Sequence, residues 1–214
     1  MPDRSALFGA GAYGEVYLHY LREGGIDVAC MLDDDVSRHG DSVDGVPVIG
    51  GAEMLPGLRE QGIGAIYVAI GNNPVRRRLV AAARAVGLAT PSFLHAAAIV
   101  ASDLVHGEAC YVLPGSIIMP KVRFGDAVMV SIGAHVAHHT VLEDGVFLST
   151  GASLGAGIMV GQDAYFGMKA TAVTGRCNRV GQGAYIGACS NLIADVPPGA
   201  TVAGNPARIL REAS

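Results

Sequence analysis

The chain has 214 residues, half of them hydrophobic and 16% charged, with 30 glycines, no tryptophan and a formal net charge of −4. That length holds one large domain or two small ones, with ample apolar material for a core. The absence of a basic block argues against nucleic acid as a partner, and no apolar run is long enough to insert in a membrane. The first residues lack the cationic start, apolar stretch and cleavage site of a signal peptide. Cys30, Cys110, Cys177 and Cys189 stand without C-x-x-C spacing, as expected of reduced thiols in a cytoplasmic protein.

In chain order, Ala6-Leu7-Phe8 reads as a short strand running into Gly9-Ala10-Gly11-Ala12-Tyr13-Gly14, which spells G-x-G-x-x-G. Glu15 to Leu21 carries apolar residues at helical spacing and is stopped by Gly24-Gly25. Val28 to Leu32 is a second buried strand ending in Asp33-Asp34-Asp35. Val46 to Gly50 predicts a short strand, Ala52 to Gln61 a short helix, and Ala65 to Ile70 another buried strand. Asn72 or Asn73 is placed to cap a helix from Val75 to Val86, with Pro74 in its first turn and Gly87 as its stop. Strands alternating with helices predict a small parallel α/β domain over residues 1–90.

The glycine motif sets backbone N–H groups of Gly9 and Gly11 and a helix N-terminus at a strand end, an arrangement that favours an anion. Asp33 and Asp34 fall where a dinucleotide fold holds a ribose hydroxyl. With about three strands the domain is half of what a dinucleotide needs, so a single nucleotide moiety fits better. The competing reading is that the glycines only permit a tight turn and that the acidic run is a solvated loop. The three carboxylates give no metal site.

Residues 91–214 follow a different rule. An aliphatic or aromatic residue recurs every sixth position: Val112, Ile118, Phe124, Val130, Val136, Leu142, Leu148, Leu154, Val160 and Phe166, with the smaller Ala172 keeping register. Two extra residues intervene before Val180, Ile186 and Leu192, predicting a loop from Thr174 to Arg179. Two positions before the ladder residue the side chain is usually small or β-branched, as at Ala134, Thr140 and Ala152. A helix needs apolar spacing near 3.6 and an ordinary strand a spacing of 2. A fixed six-residue period predicts a parallel β-helix whose coils stack one on the next.

Such a core is filled with stacked aliphatics, so chemistry belongs on the outside or at the seam between subunits. Three of the seven histidines fall in Ala134-His135-Val136-Ala137-His138-His139-Thr140. Val136 and Thr140 take the inward register, which leaves His138 and His139 where a side chain can leave the coil. A neutral imidazole there can take a proton from an amine or hydroxyl attacking a thioester. The alternatives are polar corner residues, or a zinc site drawn from His95, His106, His135, His138 and His139, which leaves the N-terminal domain unexplained. Ser131 and Ser149 lie beside inward positions with no G-x-S-x-G elbow, so they read as structural.

These features in order resemble one family. The strand–glycine turn–helix, the D-D-D run, Gly45-Val46-Pro47-Val48-Ile49-Gly50, Ala69-Ile70-Gly71-Asn72-Asn73 with Arg76, and a ladder closing on Gly204-Asn205-Pro206-Ala207-Arg208 are similar to the bacterial sugar O- and N-acetyltransferases. That group includes the sialic acid O-acetyltransferase type and the N-acetyltransferases of UDP- or GDP-linked amino sugars. The resemblance implies an α/β half-Rossmann domain followed by a left-handed parallel β-helix, assembled as a homotrimer. It implies acetyl-CoA as cosubstrate and a nucleotide-linked amino sugar as acceptor. By spacing to Ser149-Thr150-Gly151-Ala152, the family's general base falls on His138. Gly155 and Ala156 would steady the oxyanion, Gly167, Met168, Gly187 and Ala188 would hold the pantetheine arm, and Arg208 would lie near the adenosine phosphate. Gly9, Gly11, Tyr13, Asp33, Asp34, Asn72 and Arg76 would contact the nucleotide sugar.

Two departures stand out. The family commonly has a carboxylate beside the base, whereas here the neighbours are Ala137 and His139, so orientation must come from elsewhere, with Glu143, Asp144 or another subunit as sources. The family's G-x-G-G-H loop reads Gly9-Ala10-Gly11-Ala12-Tyr13 here, and Tyr13 can stack on a base or sugar. The expectation is an acetyl-CoA-dependent N-acetyltransferase of a nucleotide-linked amino sugar for surface glycans. The alternatives are a sugar O-acetyltransferase and a non-catalytic trimer that binds nucleotide sugars.

Overall fold

The computed structural model describes residues 4–212. The chain divides into two compact units, one ending at Phe93 and the other beginning at Leu94.

The first unit is built on a three-stranded parallel sheet of β1 (Arg4–Phe8), β2 (Val28–Leu32) and β5 (Ile63–Val68), in the order β2-β1-β5. β1 is central, and Ala6, Leu7 and Phe8 are buried, as an unbroken apolar strand between two parallel neighbours must be. Helix α1 (Ala12–Glu23) follows β1 and buries Tyr17, Leu18 and Leu21 at helical spacing. A small antiparallel hairpin, β3 (Ser42–Val43) with β4 (Val46–Pro47), extends from β2 through a bridge between Met31 and Val48.

Helix α2 (Asn73–Ala85) begins two residues before the sequence predicts, because Asn72 is the cap: its side chain accepts from the Val75 N–H at 3.1 Å. The predicted helix over Ala52–Gln61 is instead two 3₁₀ segments, Ala52–Gly57 and Arg59–Gln61. Pro56 lacks an N–H and Gly57 gains nothing from helical order, so a continuous α-helix is not sustained there.

The second unit is a left-handed β-solenoid. Each coil contributes two-residue strands to three parallel sheets. Val136 pairs with Ile118 below and Leu154 above, 18 residues away on each side. Val130 and Leu142 do the same with Val112 and Leu148, and with Phe124 and Val160. Three six-residue faces therefore make one turn, and every ladder residue from Val112 to Leu192 is buried. The small positions fill the corners of the core: Ala134, Thr140, Ala152, Ala164 and Ala170 are fully buried. Each buried aliphatic contributes about 1.5–3 kcal/mol, and the stack multiplies it.

The two extra residues lengthen one coil, so that Ala172 pairs with Leu192, 20 residues on. The turn they form is shorter than the Thr174–Arg179 loop expected. Arg179 already belongs to the next strand, and Cys177 points into the core. A hairpin of Thr201–Gly204 and Ala207–Arg211 ends the solenoid, with a cis peptide between Asn205 and Pro206.

Close stacking sets a testable rule for the corners. A Cβ on Gly167 would lie 2.6 Å from the Ala188 nitrogen, whereas one on Gly157 meets nothing within 4 Å although φ is +72° there. Gly167→Ala is expected to cost about 2–3 kcal/mol through overpacking, and Gly157→Ala about 1–2 kcal/mol through left-handed strain alone. Urea unfolding of the two variants checks the order.

Candidate active site

The loops at the carboxyl ends of β1, β2 and β5 converge in the first unit. The Gly9 N–H donates to the Leu32 carbonyl at 2.7 Å, and the Ala69 N–H donates to the Phe8 carbonyl at 2.8 Å. Because the chain steps from β1 to β2 on one side and to β5 on the other, a crevice opens beyond these strand ends. The glycines serve different ends. Gly9 has φ +108°, and a Cβ on Gly14 would run into the Gly9 carbonyl, so both are demanded by the turn. Gly11 has nothing within 4 Å of its missing Cβ and an extended backbone (φ −78°) that any residue can adopt. It also offers α1 no side-chain cap. The protein's own packing makes no use of that glycine, which leaves the helix N-terminus open to an anion.

Asp33 is turned toward the protein. Its two carboxylate oxygens accept from the Ala10 N–H at 2.7 Å and the Asp35 N–H at 2.9 Å, so it braces the glycine loop. Asp34 accepts from the Ala52 N–H at 2.9 Å. Tyr13 is half-buried with its ring edge-on to Tyr17 at 5.1 Å. Asn72 is occupied in capping α2. Arg76 is fully buried and donates from Nη1 to the Ile70 carbonyl at 2.8 Å, holding the turn after β5 from inside. Sequence reasoning missed Arg38, whose Nη2 donates to the Ala10 carbonyl at 2.7 Å and so brings a cation to the glycine loop. It lies in a short 3₁₀ turn, Val36–Arg38, whose direction no local pattern announces.

In the second unit His138 and His139 stand exposed at a coil corner between the buried Val136 and Thr140. Their Nδ1 atoms are 2.9 Å apart and their rings nearly perpendicular, at 88°. His139 has φ +60°, a left-handed conformation uncommon for a side chain of this size. Neither sequence-proposed carboxylate orients the pair. Glu143 accepts from the Gln162 N–H at 3.0 Å and Asp144 from the Asp126 N–H at 2.8 Å.

Gly155 and Ala156 stack one coil above on the same corner, and the Gly157 N–H donates to the His138 carbonyl at 2.9 Å. The Gly155 N–H is spent on the Ala172 carbonyl and the Ala156 N–H on Thr174 Oγ1, both at 2.9 Å. Gly167, Met168, Gly187 and Ala188 follow a different sheet and line another corner of the coil, with Met168 and Ala188 exposed. On one chain the structure therefore joins His138 with Gly155 and Ala156 and separates them from the other four. Arg208 sits on the terminal hairpin beside a cleft of about 360 Å³ that also includes Ile193, Ala194 and Asp195, on the corner of His138 further along. With coils about 4.8 Å apart, three coils place that cleft roughly 14 Å from His138. Ser131 and Ser149 are buried, Ser131 Oγ lying 3.3 Å from Thr150 Oγ1. Among the described residues no three His, Cys, Asp or Glu side chains gather as metal ligands.

The likeness to known proteins extends over the whole chain. The chain is 30% identical over 215 aligned residues to the GDP-perosamine N-acetyltransferase of Escherichia coli O157:H7, covering 96% of this chain and 95% of that one. The chain belongs to the bacterial sugar acetyltransferase family with hexapeptide repeats. A family model for the PglD N-terminal domain matches residues 5–83. The GDP-perosamine N-acetyltransferase of Caulobacter crescentus, solved with CoA and GDP-perosamine, superposes with a TM-score of 0.92 at 31% identity over 99% of each chain. That structure carries a histidine-to-alanine mutation. The acetyltransferase domain of PglB from Neisseria gonorrhoeae FA1090, solved with acetyl coenzyme A, gives a TM-score of 0.88 at 32% identity over 97% and 99% of the two chains.

The corner lined by Ala188 also carries the one exposed thiol, Cys189, while Cys30, Cys110 and Cys177 are buried. Burial pushes the Cys30 and Cys177 thiols up to about 11, and the thiolate is the reactive form. Native protein at pH 8 is expected to release one equivalent of thionitrobenzoate per chain from Ellman's reagent, and four after unfolding. A second fast-reacting thiol in the native protein contradicts this burial.

Proposed function

We propose that the protein transfers an acetyl group from acetyl-CoA to the amine of a nucleotide-linked amino sugar for surface glycans, in the cytoplasm, with His138 as general base. The observation that carries this reading is a histidine pair turned out of a β-helix core in a chain alike, end to end, to enzymes solved with CoA and GDP-perosamine. The sugar amine attacks the thioester carbonyl, a C–N bond forms and the C–S bond breaks. One amine proton passes to His138 Nε2 and from there to the departing sulfur, so the imidazole is regenerated. Of the two N–H groups above the base, that of Ala156 is held by a rotatable hydroxyl, Thr174 Oγ1. It is the one able to turn to a developing oxyanion.

The open crevice at Gly9 and Gly11, with Arg38 beside it, suits the phosphates of the nucleotide, and Tyr13 borders it. Asp33, Asp34, Asn72 and Arg76 act there as supports of the loops. The cleft at Arg208 suits the phosphorylated end of CoA. Gly167, Met168, Gly187 and Ala188 stand on another corner, so they reach a CoA lying along the His138 corner only if supplied by a neighbouring copy. That supports a homotrimer with a site at each seam.

Purified protein with acetyl-CoA and a panel of amino sugars that includes GDP-perosamine is expected to release CoA thiol with at least one of them, and silence across the panel removes the amine-acceptor reading. His138→Asn is expected to lower kcat by about 10²-fold or more with the KM for acetyl-CoA unchanged; near-native turnover would remove His138 as base. Gly11→Ala should unfold within about 0.5 kcal/mol of the native protein while the KM for the nucleotide sugar rises tenfold or more. An unchanged KM would mean that the ligand does not approach this glycine.

A further inference from the structure

A base of this kind needs a second group to fix its tautomer, and among the described residues of this chain no carboxylate is bonded to His138. An imidazole presents one lone pair at Nε2 only if its proton sits on Nδ1, and the hydrogen bond made by Nδ1 decides that. Around His138 the candidate carboxylates are committed to backbone N–H groups, as described above. What stands 2.9 Å from His138 Nδ1 is the Nδ1 of His139. At the stacked positions lie Pro120 and Lys121 below and Ala156 and Gly157 above, and the Lys121 ammonium is paired with Asp103 at 2.9 Å. The other charged side chains named on this corner lie further along it: Arg176, exposed on the turn two coils above, and Asp195, three coils above, which accepts from the Asn178 and Arg179 N–H groups.

Two nitrogens at this distance share one proton, and only one arrangement serves the reaction. If His138 donates from Nδ1, His139 accepts and the His138 Nε2 lone pair faces outward. If His139 donates, His138 accepts at Nδ1, carries its proton on Nε2 and cannot take another from the amine. We propose that His139 is a positioning residue: its neutral imidazole accepts the His138 Nδ1–H and holds His138 in the proton-accepting tautomer. The inference rests on the reading of His138 as base. A carboxylate in this place is an acceptor only, whereas an imidazole is an acceptor only until it gains a proton. Protonated His139 has two N–H donors and no acceptor, so it forces the wrong tautomer on its neighbour.

The left-handed corner allows the partner to be exchanged. Asp and Asn tolerate φ near +60° as well as His does, so His139→Asp and His139→Asn are variants expected to fold. The first readout is independent of turnover. Long-range proton–nitrogen NMR of protein labelled with ¹⁵N-histidine, with His138 assigned from the His138→Asn spectrum, is expected to show His138 protonated at Nδ1 in the neutral pair. His139→Ala should shift it toward the Nε2–H form. Finding the Nε2–H form in the unmutated protein overturns the proposal.

The second readout is kcat and KM with acetyl-CoA and GDP-perosamine. His139→Asp, which returns an acceptor to this place, is expected to keep kcat within about tenfold of native. His139→Ala should lower kcat by about tenfold or more, with the KM values little changed. Native kcat in His139→Ala also overturns the proposal. A dead His138→Asn beside a fully active His139→Ala would remove this inference alone, whereas a fully active His138→Asn would remove the base assignment beneath it.

Discussion

Each coil of the solenoid donates its strand N–H groups to the carbonyls of the next, as Ile117 does to Ala134 and His135 to Ala152, at 3.0 and 2.8 Å. That ladder holds neighbouring coils at the spacing of adjacent strands, about 4.8 Å, and so forces residues 18 apart to lie directly over one another. Only side chains that stack on their own kind satisfy this inside. Aliphatics do so at the faces, and Ala, Val, Ile or a hydroxyl bonded to a carbonyl does so at the corners. Thr140 shows the limit, being fully buried with its Oγ1 donating to the Gly155 carbonyl at 2.9 Å. Everything bulky and polar is expelled outward, and the histidine pair is among the expelled.

The same ladder explains why so much was legible beforehand. A period of six is a covalent property of the sequence, and burial follows from it with no knowledge of long-range contacts. Hence Val112 to Leu192 were assignable residue by residue, and His138 could be located by exclusion from that register. The α/β unit was legible as elements, because Val28–Leu32 and Ala65–Ile70 are apolar on both sides and Asn72 is a strong cap. Its loops were not, since where a loop side chain points depends on contacts distant in sequence. Asp33 looked like a ribose ligand and is bonded to Ala10, 23 residues away. Arg76 read as a contact of the nucleotide sugar and is the largest fully buried side chain among the described residues. Arg38 reached the glycine loop unannounced.

His139 is the residue for which local and spatial information had to be combined. Its chemistry could be read from the sequence, but only the left-handed backbone at the corner shows that its ring turns back on His138. The sequence puts His139 where the family commonly has a carboxylate, and the geometry sets its Nδ1 2.9 Å from that of His138. In the same way Gly167 and Gly155, both glycines after a ladder residue, look equivalent in the repeat and lie on different corners of the coil.

The left-handed corner residue recurs every sixth position, and it is filled by Gly, Ala, Lys, Asp, Cys or His along this chain. Ala109 and Ala127 are buried at such corners, but on the corner of His138 the position faces solvent at Lys121, His139 and Gly157, where the packing of the core does not dictate the side chain. The histidine pair thus hangs from an exposed corner of an otherwise strict scaffold. With His138 as the proposed base, substitutions there would alter proton transfer without touching the stack, so that one orienting group could be exchanged for another, imidazole for carboxylate, through intermediates that all remain folded.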